Sequence, residues 1–337
     1  MAGGFAIATL GLRSQPARIA RVTVVNDHAP SLVSRAIAVR LTRQREKLMA
    51  TVEFTSSLAP TLQQKWEHVT ALLADMNQAL VAYSGGIDST LMAKLAYDAL
   101  GDRALAVTAV SPSLLPEDLE DAQIQAAQIG IRHELVQTHE LENPEYAANP
   151  VNRCYFCKSE LHDTLKPLAL ERGYPYVIDG INADDLQDYR PGIQAAKERG
   201  ARSLLAEVGL TKSEIRELSK HLNLPWWDKP SQPCLSSRFP YGEEITIAKL
   251  QRVGRAEVYL RRMGLRDLRV RSAGDTARIE LPADQIKEFV LTTDLPQLVQ
   301  AFQDLGFLFV TLDLEGFRSG KLNQVLSLPV SQSAGQR

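Results

Sequence analysis

The seven residues SGGIDST, at positions 84–90, lie between an apolar segment, ALVAY (residues 79–83), and a helical segment, LMAKLAYDAL (residues 91–100). A short apolar run is typical of a buried parallel strand, and glycines at a turn let the backbone approach a ligand without interference from a Cβ atom. The start of a helix adds unpaired N–H groups and a partial positive charge. This stretch therefore predicts a strand–loop–helix unit that can bind phosphate groups.

The alternation of strand and helix continues along the chain. Apolar runs at 104–110, 133–138 and 174–180 predict three further strands. Helical periodicity is found at residues 62–77, 117–129 and 155–172, and TKSEIRELSKHL (211–222) opens with a capping-box signature for one more helix. Strands and helices in turn predict an α/β fold with a doubly wound parallel sheet.

The texture of the sequence changes near residue 240. Prolines at positions 225, 230, 233 and 240 exclude a continuous helix or a central strand there. Beyond them, an amphipathic helix at 243–262, short strands and two more helices predict a smaller α+β domain. We expect a leader at 1–55, a nucleotide-binding domain at 56–238, a substrate or oligomerisation domain at 239–325 and a tail at 326–337.

Charge is distributed unevenly along the chain. The first 48 residues carry eight basic and two acidic side chains, whereas the remainder carries 30 basic and 38 acidic ones. A basic leader can be a transit peptide, but this one lacks an amphipathic stripe, so we expect a disordered extension or a start at Met49. The acidic body argues against broad nucleic-acid binding. No apolar run is long enough to span a membrane.

The loop at 84–90 can be analysed residue by residue. Gly85 and Gly86 allow backbone amides to turn inward, and the hydroxyls of Ser84, Ser89 and Thr90 can donate to phosphate oxygens. Asp88 would repel phosphate unless a cation lies between them, so it is a candidate Mg²⁺ ligand. No lysine follows the glycines, which excludes the Walker loop. The alternative interpretation is that residues 84–90 form a glycine turn between strand and helix and bind no ligand.

This string resembles the PP-loop of the ATP pyrophosphatases. That resemblance implies that ATP is cleaved between its α and β phosphates and that a carboxylate or carbonyl oxygen is adenylylated. A PP-loop alone is shared by many enzymes, so the remaining motifs must decide the reaction.

The chain has three cysteines, and two of them are three residues apart in NRCYFCK: Cys154 and Cys157. The third, Cys234, lies in SQPCLSSR. Three cysteines do not make a secreted disulfide framework, and a reducing cytoplasm fits better. The pair could be half of a zinc site with His162, a redox pair, packed thiols, or, together with Cys234, three ligands of a four-iron, four-sulfur (4Fe-4S) cluster with one open iron.

The ordered motifs DGINADD, DYRPG, ARSLLAEVGLTKSEIR, PCLSSRFPYG, LRVRS, ARIELP and TLDLEGFRSGKLN are similar to those of the LarE family. LarE proteins are ATP-dependent sulfur transferases of lactate-racemase maturation, and the resemblance runs from about residue 62 to residue 323. It implies that the carboxylates of pyridinium-3,5-biscarboxylic acid mononucleotide are adenylylated and then converted to thiocarboxylates of a nickel-pincer nucleotide.

The resemblance also implies a source of sulfur. One version of the family has a single cysteine at the position of Cys234, which gives up its own sulfur. Another has three cysteines that hold an iron–sulfur cluster, and this chain, with Cys154, Cys157 and Cys234, resembles that version. A homo-oligomer, with a hexamer among the candidates, is also implied.

Several further residues match family positions for substrate. Arg269 and Arg271 alternate on a predicted strand, so they project from one face and can pair with phosphate. Ser237 and Arg238 match the substrate loop but could cap a turn, and Glu257 matches an acidic position but could be a solvated helix-face residue. For Asp184 and Asp185, Mg²⁺ or ribose contacts compete with turn formation. Arg190 and Arg318 could contact phosphate or bridge subunits.

Two rival functions remain open at this stage. A PP-loop tRNA thiolase can pair Cys-x-x-Cys with an iron–sulfur cluster, although the acidic body and the lack of an RNA-binding appendage disfavour it. An ATP-binding regulatory module without turnover is the rival from another class. Release of pyrophosphate that depends on the biscarboxylate nucleotide would exclude the regulatory module.

Overall fold

A computed structural model describes residues 58–187, 190–230, 233–318 and 320–324. The leader predicted at 1–55, the alternative start at Met49 and the tail predicted at 326–337 lie outside these residues.

Four parallel strands form the first sheet. They are β1 (Ala79–Ala82), β2 (Ala104–Val110), β3 (Arg132–Gln137) and β4 (Val177–Ile178), in the order β3-β2-β1-β4. Ala79 pairs with Ala104, and Leu80 pairs with Val177. The central strands β1 and β2 are apolar runs with their first residues fully buried, as expected of a sheet covered on both faces. The predicted parallel α/β fold is confirmed.

Helices accompany these strands along the chain. Their bounds are α1 (Pro60–Met76), α2 (Ile87–Leu100), α3 (Pro116–Ile129), α4 (Pro144–Ala147), α5 (Arg153–Glu171), α6 (Pro191–Glu198), α7 (Leu204–Glu207) and α8 (Lys212–His221). The predicted capping box is present, because the Thr211 hydroxyl accepts from the Glu214 amide and the Glu214 carboxylate accepts from the Thr211 amide. The sequence therefore located the start of α8 correctly.

Two boundaries differ from the sequence prediction in ways that affect the site. Helix α5 begins at Arg153 rather than Tyr155, so Cys154 and Cys157 lie in its first turns. Strand β4 has two residues rather than the seven predicted at 174–180. It lies at the edge of the sheet, and Pro175 has no N–H to donate to a ladder.

The second sheet comprises β5 (Arg269–Ala273), β6 (Thr276–Glu280) and β7 (Phe309–Leu312). Strand β6 is antiparallel to β5 and parallel to β7. Three helices pack with it: α9 (Ile247–Arg262), α10 (Ile286–Thr292) and α11 (Leu295–Asp304). Helix α9 begins four residues later than predicted because the Thr246 side chain caps it, accepting from the Lys249 amide.

The second sheet and its three helices, called here the second layer, share a buried core with side chains from the first half of the chain. Leu115 and Tyr146 pack in the same buried cluster as Leu235 and Phe239. The described residues form one compact unit, and the domain boundary placed between residues 238 and 239 stays a prediction. Within the described ranges, no helix is both long enough and apolar enough to cross a membrane.

Candidate active site

The phosphate-binding loop follows β1 directly and ends at the start of α2. Gly85 has a φ of +69°, and a Cβ atom there would lie 2.7 Å from the Cβ of Ala122 on α3. Any other residue would therefore meet both backbone strain and a collision. Gly86 is the N-cap of α2 and has an extended backbone. The first amides of this fourteen-residue helix face the loop without intrahelical partners, as an anion site requires.

The three hydroxyls predicted to contact phosphate divide into two groups. Ser84 Oγ and Ser89 Oγ are 3.0 Å apart, and Ser89 Oγ donates to the Gly86 carbonyl at 3.0 Å. These two hydroxyls shape the loop. Thr90 is instead almost fully buried, and its hydroxyl donates to Gln125 Oε1 at 2.7 Å on α3. The Thr90 hydroxyl is thus committed to the helix interface, and a phosphate contact from it stays a prediction.

Asp88, in the first turn of α2, has one satisfied oxygen and one unsatisfied oxygen. Its Oδ2 accepts from Lys212 Nζ at 2.5 Å, whereas the buried Oδ1 has no hydrogen-bond partner among the described residues. Burial raises the pKa of Asp88, Lys212 opposes that effect, and Asp185 adds to it. An orphaned carboxylate oxygen beside a phosphate loop fits a cation ligand.

Two lysines supply the positive charge that the loop itself lacks, and the sequence analysis missed both. Lys212 is the first residue of α8 and pairs with Asp88. Lys229 Nζ lies 3.0 Å from Asp121 Oδ2 and 3.5 Å from the Gly85 carbonyl. Lys212 lies in the motif TKSEIR, from which the sequence analysis predicted a helix start but no site residue. A family-like motif in the sequence could therefore have pointed to Lys212, whereas no such motif contains Lys229.

The end of β4 closes the loop from the other side. A Cβ atom on Gly180 would lie 2.6 Å from the Ser89 amide nitrogen, so only glycine allows β4 to approach α2 this closely. Asp179 is buried, burial raises its pKa, and its Oδ2 has no partner among the described residues. Asp179 is the first residue of the motif DGINADD, but it was not among the predicted site residues.

The acidic turn after β4 makes internal contacts. Asp184 Oδ2 accepts from the Lys212 amide at 2.8 Å, and Asp185 Oδ1 pairs with Arg190 Nη1 at 2.6 Å. The Asn182 side chain accepts from the amides of both aspartates. Turn formation is therefore observed for both, and the predicted Mg²⁺ or ribose contacts stay untested.

The three cysteines are free thiols on two neighbouring segments. Cys154 and Cys157 lie in the first turns of α5, and Cys234 precedes a short 3₁₀ turn, Leu235–Arg238. Desolvation raises the pKa of Cys154 and of Cys157, and the charge of Cys234 raises both further. In the part of the chain that is described, no three His, Cys, Asp or Glu side chains could hold a single metal ion.

His162 does not complete a zinc site with these thiols. It is buried further along α5, and burial together with Lys158 and Arg199 lowers its pKa to about 4. Among the described residues, no zinc-type ligand set including His162 is formed.

Arginines hold the backbone of the Cys234 turn on several sides. Arg238 Nη1 donates to the carbonyls of Pro233 at 2.7 Å and Cys234 at 3.3 Å. Arg271 Nη1 donates to the Ser237 carbonyl at 2.6 Å, and Arg153 Nη1 donates to the Ser236 carbonyl at 3.0 Å. The turn that carries Cys234 is thus fixed through main-chain oxygens.

Glu257 on α9 forms a buried ion pair with Arg238. Both residues are fully buried, and the carboxylate accepts from Arg238 Nε at 2.7 Å and Nη2 at 2.9 Å. The Val270 amide donates to the same carboxylate at 3.0 Å. Burial alone would raise the pKa of Glu257, but the charge and hydrogen bonds of Arg238 outweigh it and lower the pKa. The alternative interpretation of Glu257 as a solvated helix-face residue is therefore wrong.

The two arginines of β5 have different surroundings. Arg269 lies over the Phe317 ring at 4.8 Å, and burial together with repulsion from Arg238 lowers its pKa to about 10. Arg271 is partly buried and pairs with Glu280 Oε2 at 3.0 Å. Ser237 Oγ accepts from Arg238 Nη1 at 2.9 Å. Ser237 and Arg238 belong to the Cys234 turn, and Arg271 donates to it from β5. Contact of these residues and of Arg269 with substrate stays a prediction.

A cavity of about 780 Å³ lies behind the turn, lined by Leu115, Leu235, Leu250, Gly254 and Tyr259 among others. Its lining is mainly apolar, and it includes none of the predicted phosphate, cysteine or arginine residues.

Comparison with known proteins identifies the family. The NAD synthase family profile matches residues 64–148, which span the phosphate loop. The pyridinium-3,5-bisthiocarboxylic acid mononucleotide synthase of Lactiplantibacillus plantarum is 40% identical over 268 residues, or 79% of this chain and 96% of that protein. The chain belongs to this synthase family.

Two further relatives of this synthase-family chain are uncharacterized proteins. The uncharacterized protein slr1717 of Synechocystis is 68% identical over 79% of this chain and 99% of its own length. The uncharacterized protein MJ0830 of Methanocaldococcus jannaschii is 30% identical over 71% of this chain and 90% of its own. The resemblance to the LarE family is thereby confirmed, and with it membership of the ATP-dependent PP-loop enzymes.

Proposed function

We propose that this protein is an ATP-dependent sulfur transferase that converts the carboxylates of pyridinium-3,5-biscarboxylic acid mononucleotide into thiocarboxylates. The observation that carries this proposal is the 40% identity to the Lactiplantibacillus plantarum synthase over 96% of that protein's length. The phosphate loop before α2 and the arginine-held turn with Cys234 support this proposal, because they would serve as the nucleotide half and the sulfur half of the site.

In the first step, a substrate carboxylate oxygen attacks the α-phosphorus of ATP and pyrophosphate leaves. The amides at the start of α2 and the hydroxyls of Ser84 and Ser89 would bind phosphate oxygens. Asp88 would hold Mg²⁺ through Oδ1, the oxygen without a partner among the described residues. Lys212 and Lys229 would neutralise the remaining charge of the nucleotide.

In the second step, a nucleophilic sulfur attacks the acyl carbon and AMP leaves with the former carboxylate oxygen. A carboxylate is a poor acyl donor because its leaving oxygen is strongly basic, whereas AMP is a stable leaving group. Ser237, Arg269 and Arg271 would bind the negative substrate next to Cys234. The buried pair of Arg238 and Glu257 would hold the turn in place. Two rounds of the reaction give the bisthiocarboxylate.

We further propose that Cys154, Cys157 and Cys234 hold a 4Fe-4S cluster. Thiolates are the ligands that such clusters require, and the Arg153 hydrogen bond to the Ser236 carbonyl joins the two segments that carry the three sulfurs. A four-iron cluster is wider than a single ion, so its ligands need not converge to single-ion distances. When bound, the cluster would present sulfide on its open iron. The free thiols also fit a reducing cytoplasm.

Sulfur donation by Cys234 itself is the competing route. The Cys234 thiolate would attack the acyl-adenylate, AMP would leave, and loss of the Cα proton with cleavage of the Cβ–Sγ bond would release the thiocarboxylate. Cys234 would then end as dehydroalanine, and each chain would turn over once.

The test is mass spectrometry of both the product and the intact protein after incubation with ATP, Mg²⁺, the biscarboxylate nucleotide and sulfide. We expect thiocarboxylate product, and product in excess of protein with an unchanged Cys234 supports the cluster. Loss of hydrogen sulfide from Cys234 after one turnover selects the sacrificial route. Absence of substrate-dependent pyrophosphate and thiocarboxylate, together with tight and salt-sensitive binding of tRNA, would replace the proposal by a tRNA thiolase.

A further inference from the structure

Arg153, the residue before Cys154, is a buried guanidinium that the sequence analysis did not single out. Its side chain is only 4% exposed. Within the described ranges it forms no ion pair with a carboxylate; its Nη1 donates instead to Asn149 Oδ1 and, at 3.0 Å, to the Ser236 carbonyl. A buried cation is costly unless it is hydrogen-bonded and balanced by negative charge. The arrangement therefore calls for an explanation beyond packing.

The contacts of Arg153 link the two segments that carry cysteines. The guanidinium belongs to the first turn of α5, beside Cys154 and close to Cys157, whereas Ser236 lies two residues after Cys234. The Ser236 hydroxyl is held in the same region by Tyr146 at 2.6 Å and by Ser113 at 3.0 Å. Ser236 is fully buried, so its position fixes the turn from inside.

Asn149 extends this connection. It is fully buried with a φ of +54°, and its side-chain amide donates to the Pro240 carbonyl at 2.7 Å. Its own carbonyl accepts from the Gly242 amide at 2.8 Å. Asn149 thus orients the Arg153 guanidinium and also binds Pro240 and Gly242, which follow the Cys234 turn.

We propose that Arg153 is a positioning residue for sulfur transfer, whose guanidinium holds the Cys234 turn in register with the Cys154 and Cys157 turn of α5. The positional part of this inference depends on the geometry alone, and its consequence for catalysis rests on the proposed function. Among the described residues, neither a sheet nor a disulfide joins the two cysteine segments. The guanidinium contact, together with the hydrogen bonds of Asn149 and Tyr146, therefore sets how the sulfurs face each other.

Cross-linking of thiols tests the inference without substrate or ATP. Metal-free, reduced protein is treated with dibromobimane, a reagent that becomes fluorescent when it alkylates two thiols, and the linked peptides are identified by mass spectrometry. Links between Cys234 and the α5 peptide report the register of the two segments. Links between Cys154 and Cys157 report α5 alone and serve as the internal reference.

For Arg153→Gln we expect the yield of the Cys234 link to fall by about tenfold relative to the reference link, the effect of removing hydrogen bonds made by a charged group. Arg199→Gln is the matched control. Arg199 also contacts α5, through Asp163 at 2.9 Å, but none of the contacts described for Arg199 involves Ser236. Its cross-linking should equal that of the wild type. A wild-type yield of the Cys234 link in Arg153→Gln would overturn the proposal.

A loss of both links would mean that Arg153→Gln has unfolded, and Arg153→Lys then decides the question. Lysine retains the charge but not the planar fork, so the Cys234 link should be intermediate; a wild-type yield in this variant would refute the positioning role. If the links behave as expected but no thiocarboxylate forms from the biscarboxylate nucleotide in the wild type, the proposed function fails while the positional assignment stands.

Discussion

At the scale of single residues, the structure separates charges that support the fold from charges that remain available to a ligand. Arg238 and Glu257 form an ion pair in which both side chains are fully buried. Asp88 keeps one oxygen unsatisfied beside the phosphate loop. The same residue types therefore have different uses, and burial with its hydrogen bonds decides which.

The buried pair leads to a prediction about stability. Glu257→Gln leaves the Arg238 guanidinium buried without its counter-charge, so we expect a loss of about 3–5 kcal/mol in the free energy of unfolding. Denaturant titration at neutral pH measures it. The control is Glu117→Gln, which removes an exposed partner of Arg261 and should cost less than about 1 kcal/mol. Equal losses in the two variants would contradict a special role for the buried pair.

The same carboxylate gives the stability a pH dependence. Because the pKa of Glu257 is lowered in the folded protein, its contribution is complete above the unfolded pKa of about 4.3 and is lost as the pH falls through the folded value. Wild-type stability should therefore decline below about pH 4 more steeply than that of Glu257→Gln. Parallel declines, measured by denaturant titration at several pH values, would show that Glu257 does not contribute this effect.

Asp88 leads to a prediction about catalysis. Replacing it with Asn removes the negative charge that we assign to Mg²⁺, and substrate-dependent release of pyrophosphate should fall by about a hundredfold or more. Asp98→Asn, at the other end of α2 and exposed in an i,i+4 pair with Lys94, is the control and should retain full activity. An Asp88→Asn enzyme with normal release and normal Mg²⁺ dependence would remove Asp88 from the site.

At the scale of elements, the phosphate site depends on how closely α2 approaches its neighbours. Gly85 lies against α3, and Gly180, at the end of β4, lies against the first turn of α2. Both contacts are backbone approaches that a single methyl group would block. The position of the helix start is therefore set by two glycines on either side of it.

Gly180→Ala tests this approach. The new Cβ would meet the Ser89 backbone at 2.6 Å, and backbone cannot move aside as a flexible side chain does, so we expect a cost of about 1–3 kcal/mol and weaker ATP binding. Gly200→Ala is the control: its φ of +79° costs about 1 kcal/mol, but its Cβ faces open space. Thermal unfolding and nucleotide titration compare them, and unaltered ATP affinity in Gly180→Ala would disprove the constraint.

The sequence predicted elements better than it predicted contacts. The glycine loop, the capping box at Thr211 and the apolar strands are local patterns, so the parallel sheet could be predicted without coordinates. The pairing of Lys212 with Asp88, and of Arg153 with Ser236, joins residues far apart in the chain. Such contacts depend on packing, which no local period encodes. Glu257 shows this most clearly, since the same sequence position is compatible with solvent or with the core.

At the scale of the whole molecule, the second layer carries apolar side chains that its own fold leaves exposed. Seven large apolar residues between positions 290 and 314 are exposed: Val290, Leu291, Leu295, Val299, Leu308, Phe309 and Leu314. Strand β7 lies at the edge of its sheet. Exposed apolar surface and an edge strand favour association between chains. The expected homo-oligomer is therefore best sought at this face.

Light scattering coupled to size-exclusion chromatography tests that expectation. The double variant Leu308→Glu with Phe309→Glu places charge on two side chains that are each 63% exposed, so the fold should persist while the oligomer dissociates. Leu170→Glu, at a 68% exposed position on α5, is the control and should keep the wild-type mass. A wild-type mass in the double variant would place the interface elsewhere, and a monomeric wild type would refute the oligomer.

The backbone contacts around Cys234 have a consequence for what happens once sulfur has been delivered. Arg153, Arg238 and Arg271 grip main-chain oxygens, and none of the hydrogen bonds described for the turn uses the Cys234 sulfur. On the proposed function, these contacts would hold the turn in the same position before and after sulfur transfer. The enzyme after turnover would then differ from the enzyme before turnover only in the sulfur that it carries. Replacing that sulfur would require a chemical step but no refolding.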